Sequence, residues 1–308
     1  MKRLIYICLT LIVLFIGCAK DKPLTISGLD VNYYKKEDSA DPIDHLIYQV
    51  YQSTGIPIFY NDTIGVQNRG VDLAGKPLMY YERLDLNYFI EGTNGFPTTF
   101  TIPKKRAKIT DGVVFLRDSI IPELKKYNLK PRSFLLTDTL RAYSSGYKYV
   151  NTIKGLTTTV LSNLNVLNTK TNAAKSAIKT EIMANEISAY ISDYKPGTLV
   201  DFYKVSDALF ASYNLSSLNG ISISYFNSYP RNQMNVRFYT FLSIASGFIS
   251  SPTSFSYTTP SRQQDVSDYI KAVLANQDAT FLAANSAYPN VIKKYNIMKT
   301  IVESIKQK

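Results

Sequence analysis

The chain opens with an apolar run from Leu4 to Ile16 behind Lys2 and Arg3, and a polar stretch without a clean period follows to Asp41. At Asp41-Pro42 the pattern changes. An N-cap residue precedes proline, which suits a first helical turn because its N–H would have no intrahelical partner there. Leu46, Ile47, Val50 and Tyr51 recur at helical spacing up to Gly55, so a helix is predicted over 42–55. Ile56-Pro57-Ile58-Phe59-Tyr60 predicts a strand, near a sheet edge because of Pro57. Residues 61–108 mix Gly, Pro, Asn and Tyr without a period and predict a long loop with one or two short strands. A helix is predicted over 111–126, with Pro122 tolerated or kinking it, and strands over 133–139 and 156–166.

The longest helical pattern is Asn172–Tyr194, where Met183, Ile187, Tyr190, Ile191 and Tyr194 fall on one stripe before Pro196-Gly197. Further helices are predicted over 199–213, over 234–246, from a cap near Ser261 through Val266, Ile270, Val273 and Leu274, and over 290–306. Strands gather in the first half and helices in the second, which predicts an α+β fold with one body over 42–308.

The N-terminal run has the three parts of a secretory signal peptide: a basic head, an apolar core and a small residue before the break. It is too short to span a bilayer, which takes about 20 apolar residues. Phe15-Ile16-Gly17-Cys18 resembles a bacterial lipobox, which implies removal of 1–17 and diacylglycerol on the sulfur of Cys18. The alternative is an ordinary signal peptide that happens to hold a cysteine. On the lipobox reading, 18–41 is a lipidated tether and the protein sits at the outer membrane or cell surface of a Gram-negative bacterium. The second cysteine, Cys8, lies in the discarded segment, so the mature body has neither a disulfide nor a thiol nucleophile.

The formal charge is +11, and loss of Lys2 and Arg3 lowers it to +9. In a cytosolic protein this balance would suggest nucleic acid. Outside the cytoplasm nucleic acid is not expected, and anionic lipid or plain solubility takes its place.

Histidine is the scarcest chemistry: His45 stands alone. Catalytic zinc usually takes three protein ligands with imidazoles among them, and a Ser-His-Asp triad would depend on this one residue. No phosphate-binding glycine loop or Cys-x-x-Cys occurs. Tyrosine is the opposite case, with 24 of them beside 15 phenylalanines and no tryptophan. Tyr143, Tyr147 and Tyr149, and Tyr225 with Tyr229, are candidate surface clusters for a peptide or glycan ligand; the alternative is that the rings fill a polar-edged core.

The lipobox followed by 46–62 (LIYQVYQSTGIPIFYND) resembles the start of a family of zinc-binding metallopeptidase lipoproteins associated with substrate import. The likeness continues through Phe115-Leu116-Arg117-Asp118, Leu129-Lys130-Pro131-Arg132-Ser133 and Gly247-Phe248-Ile249-Ser250-Ser251-Pro252 as scattered short matches. It implies a zincin-like domain, a mixed sheet followed by a helical half, and a neighbouring outer-membrane uptake complex. The family's active helix carries His-Glu-x-x-His, in which two imidazoles one turn apart hold zinc and the glutamate acts as base. The counterpart here is Asn185-Glu186-Ile187-Ser188-Ala189. Glu186 survives as a vestigial catalytic residue, while Asn185 and Ala189 stand at degenerate ligand positions. Asp265 or Asp268 matches a downstream acid of the family. The resemblance therefore implies a scaffold without its zinc and without metal or other cofactor, serving as a binding or accessory component. Two rivals stand beside it: a hydrolase of glycan or peptide that uses carboxylates alone, and a structural envelope lipoprotein.

Overall fold

The computed structural model describes residues 31–84, 86, 98–143, 147–208, 244–250, 260–275 and 277–306. Cys18 and the segment before it, Tyr225, Tyr229 and most of the helix predicted over 234–246 lie outside the described residues.

Helix α1 (Pro42–Thr54) forms where the pattern predicts. Asp41 caps it by accepting from the Ile43 and Asp44 amides, and Gly55 closes it at φ 66°, a conformation costly for a residue with a Cβ. Strand β1 (Ile58–Phe59) follows. Where one or two short strands are expected within a loop over 61–108, the described part forms a long hairpin instead, β2 (Thr63–Val71) and β3 (Pro77–Arg83). Asp72 sets its turn by accepting from the Ala74 and Lys76 amides, and Gly75 takes φ 77°. Neither hairpin face is buried, so no core enforces an apolar alternation that a reader of the sequence would see. Strand β4 (Thr99–Thr101) ends this region.

The helix predicted over 111–126 starts earlier, as α2 (Arg106–Phe115), and passes through a π-turn (Leu116–Ile120) into α3 (Ile121–Lys126). Pro122 cannot return a hydrogen bond to Asp118, and its ring would crowd that carbonyl. The π-turn, closed by the Ile121 amide on the Leu116 carbonyl, widens the backbone just before it.

The strand predicted over 133–139 splits into β5 (Phe134–Leu136) and β6 (Thr139–Tyr143). Between them the chain changes sheets, and the Asp138 amide bonds the Thr101 carbonyl at 2.8 Å. Strands β7 (Tyr147–Tyr149), β8 (Thr152–Lys154) and β9 (Thr159–Leu161) follow. The strand predicted over 156–166 shrinks to β9, because Asn163 turns left-handed at φ 63° and starts the single-turn α4 (Leu164–Leu167).

The central sheet has the order β1-β5-β9-β8, with β1, β5 and β9 parallel and β8 antiparallel at the edge. Period-two alternation sends Ile58, Phe134, Leu136 and Leu161 into the main core, and Phe59, Leu135 and Val160 into a smaller cluster on the other side. Burial on both faces explains why β5 reads as a continuous apolar run. Strands β4, β6 and β7 form a second sheet, and the β2–β3 hairpin stands as a third.

All described strands precede residue 162, and the rest of the described chain is helical, so the protein is mixed α/β. Helix α5 (Asn172–Tyr194) matches its predicted bounds and is capped by Thr171. Met183, Ile187 and Ile191 of its stripe are buried, but Tyr194 is 73% exposed. A 3-10 turn (Pro196–Leu199) leads into α6 (Val200–Ala208). Helix α7 (Arg262–Leu274) starts at the predicted Ser261 cap, α8 (Asp278–Ala284) is unpredicted, and α9 (Pro289–Ser304) closes the described body.

A charge sits where this helical half is driest. Lys294 of α9 is fully buried, 2.6 Å from Asp265 of α7 and 2.9 Å from the Ser206 hydroxyl of α6. The rings of Phe202, Phe248 and Tyr269 surround its ammonium at 4.3–5.1 Å. Burial pushes the Lys294 pKa down, and the Asp265 charge opposes that shift.

The described end of the segment expected as a tether belongs to this body. Tyr34 meets Phe59 edge-on at 5.8 Å, Lys36 lies 3.7 Å over the same ring, and Arg106 pairs with Asp41.

Candidate functional site

A cleft of about 730 Å³ opens between α5, β8 and the first half of α7. Glu181, Asn185, Ser188, Ala189 and Ser192 of α5 form one wall. Their three- and four-residue spacing places them on one helix face, opposite the apolar stripe. Gln263, Gln264, Ser267 and Lys271 of α7 stand across from them, and Tyr203 lies beneath the Arg262 guanidinium at 4.6 Å.

Strand β8 borders the cleft and ends its sheet among the described residues. The Gly155 amide bonds the Thr158 carbonyl, and the Ser162 amide the Asn151 carbonyl, both at 2.8 Å. In an antiparallel ladder these bonded pairs alternate, so the amides and carbonyls of Thr152 and Lys154 point away from β9. The Gly155 turn is tight: a Cβ there would come within 3.0 Å of the Leu86 backbone.

Asn185 and Ala189 both face the cleft, as two positions one turn apart should. Glu186 does not line it. Its carboxylate is 5% exposed and accepts from Lys154 Nζ at 2.9 and 3.2 Å and from the Thr159 hydroxyl. Lys154 pairs with Thr159 across the β8–β9 ladder, so both side chains project from the same sheet face toward α5. A general base must reach its water with a free lone pair. The Lys154 ammonium and a hydroxyl already engage both oxygens of Glu186. Alanine offers no donor atom, an asparagine amide is a poor zinc ligand, and the carboxylate is committed to an ammonium, so these positions do not fit zinc. Among the described residues no group of three His, Cys, Asp or Glu is arranged to hold a metal ion.

Neither acid suggested on α7 reaches the cleft. Asp265 is buried on Lys294, and Asp268 accepts from Gln264 at 2.6 Å. His45 is exposed on α1, held by Asp38 at 2.6 Å and Gln49 at 2.9 Å, far in sequence from every cleft residue. Tyr143, Tyr147 and Tyr149 are exposed on the β6–β7 ribbon, while Tyr127, Tyr269 and Tyr295 are buried, so tyrosine serves both surface and core.

Sequence reasoning missed Glu181, Lys154 and the α7 wall. Burial pushes the Glu181 pKa up, opposed by the Lys271 charge and a hydrogen bond with Asn151. The other cleft acid, Asp193, lies twelve residues along the same helix, about 18 Å away in rise. Carboxylates that divide glycoside hydrolysis stand about 5–9.5 Å apart. These two do not meet that spacing. The signal available in the sequence was the polar stripe of α5 itself; Lys154 lies in a three-residue strand that no pattern marks. No protein-family model, curated protein or solved structure matches this chain.

Proposed function

We propose that this chain is a lipid-anchored cell-envelope protein whose cleft, on a zincin-like scaffold, binds an extended ligand without hydrolysing it, as an accessory of an outer-membrane uptake system. One observation carries the loss of hydrolysis: Glu186 is committed to Lys154 and Thr159, between Asn185 and Ala189 at the positions where ligands would stand. The scaffold reading draws on an antiparallel edge strand running beside the helix that bears these residues. The address draws on Phe15-Ile16-Gly17-Cys18. An extended peptide suits the cleft, since the amides and carbonyls of Thr152 and Lys154 point away from β9, on the side where a strand would add. The amide and hydroxyl side chains of both walls would then hydrogen-bond its side groups.

The test is the metal content of the mature chain, purified without affinity histidines and offered zinc, together with digestion of a peptide library. We expect neither stoichiometric zinc nor cleavage, and retention of a subset of peptides that Asn185→Arg abolishes. Cleavage that a chelator stops would refute the proposal.

A further inference from the structure

The β2–β3 hairpin leaves its apolar residues uncovered. Leu73 at the turn is 111% exposed, Val71 67% and Val66 53%, and Met79 and Tyr81 on the return strand are also open. Single exposed apolar side chains are ordinary on a protein surface, but a contiguous set is not. The register collects them. Val66 pairs with Tyr81, Asn68 with Met79 and Val71 with Pro77, and the two-residue alternation of β3 puts Tyr81, Met79 and Pro77 on one face. The opposite face carries Leu78, 52% exposed, beside polar groups: Arg69 stacks on Tyr80 at 3.6 Å, and the Tyr80 hydroxyl donates to Glu82 at 2.5 Å. The hairpin is thus a ribbon with one mainly apolar face, and among the described residues no core cluster lies beneath it.

The N-terminal segment sets how far the hairpin can lie from an anchoring membrane. Tyr33 packs at the hairpin root, so closely that a Cβ on Gly65 would overlap its ring. Residues 19–32 join this point to Cys18, a reach of at most about 50 Å when extended. The nine residues of β2 rise about 30 Å from root to tip. A membrane holding an acyl chain on Cys18 therefore lies within range of Leu73. Arg69 and Lys76 flank the tip with Asp72 between them, which leaves one net positive charge there for anionic head groups.

We propose that the apolar face of this hairpin inserts into the surface of the anchoring membrane and gives the body a fixed orientation on it; this rests on the lipid-anchor reading of Cys18. The chain contains no tryptophan, so Leu73→Trp supplies a single reporter whose emission belongs to the tip alone. The mature full chain would be mixed with phosphatidylethanolamine–phosphatidylglycerol vesicles carrying brominated acyl chains. Interfacial insertion to about 5–10 Å should shift the emission to shorter wavelength and quench about half of it. The same reporter at Lys148 should stay unquenched, and Val71→Asp with Met79→Asp should release the quenching at position 73. A tip reporter as water-like with vesicles as without them would overturn the proposal. Lipidation is read separately, from the intact mass: an unmodified Cys18 refutes the anchor, while the quenching still decides the hairpin.

Discussion

Replacing Glu186 with alanine separates a structural glutamate from a vestigial base by the sign of its effect. The substitution removes a 5% exposed carboxylate and leaves the Lys154 ammonium and the Thr159 hydroxyl without their acceptor. Breaking a fully buried pair costs about 3–5 kcal/mol. Lys154 is 30% exposed and can recover part of its hydration, so the estimate here falls to about 2–3 kcal/mol. A residue kept for catalysis behaves differently, since its removal often leaves stability unchanged or improves it. Urea unfolding of wild type and Glu186→Ala should show a lower midpoint with the same slope. Adding Lys154→Met to the alanine variant should cost little more, giving a coupling of about 1–3 kcal/mol in the double-mutant cycle. A Glu186→Ala protein as stable as wild type, or more stable, would refute the structural assignment.

Lys294→Met should destabilise by about 3–5 kcal/mol because it leaves Asp265 charged in a dry site, and Lys294→Met with Asp265→Leu should recover much of that in the same urea assay. Burial pushes Lys36 down to about 8, with the Asp44 charge opposing the shift. The folded chain therefore releases this proton first, the unfolded chain binds more protons between pH 8 and 10.5, and stability attributable to Lys36 rises across that window. Lys36→Met should accordingly gain more over wild type at pH 7.5 than at pH 10; equal gains would contradict the burial. Offering zinc to wild type should leave the thermal midpoint in place, whereas a ligand bound at 100 times its Kd would add about 2.7 kcal/mol.

The sequence disclosed elements whose physics is local. Asp41-Pro42 and Ser261 mark helix starts by their own side chains, and α5 carries enough turns for its stripe to show. It concealed elements whose reasons lie elsewhere in the chain. The β2–β3 hairpin has no buried face to impose an alternation, and β8 is three residues defined only by its neighbour. Pro122 was ambiguous because its effect depends on whether the preceding turn can widen, which Leu116–Ile120 does. At the site, Asn185 and Ala189 could be placed from their spacing alone. The fate of Glu186 could not, since it is decided by Lys154 and Thr159, some thirty residues upstream.

The tight turn at Gly155 has a reach beyond its own geometry. Surface connections usually absorb insertions without harm, because nothing downstream depends on their length. Between Gly155 and Thr158 the length is a parity bit. One extra residue that shifted β8 by a single position would rotate Lys154 to the far side of the sheet and present Ile153 to Glu186. The carboxylate would then be buried against a hydrocarbon, and the two outward backbone positions would pass from Thr152 and Lys154 to their neighbours. Variation in this lineage should therefore spare the spacing of that loop more strictly than the identity of the residues around it.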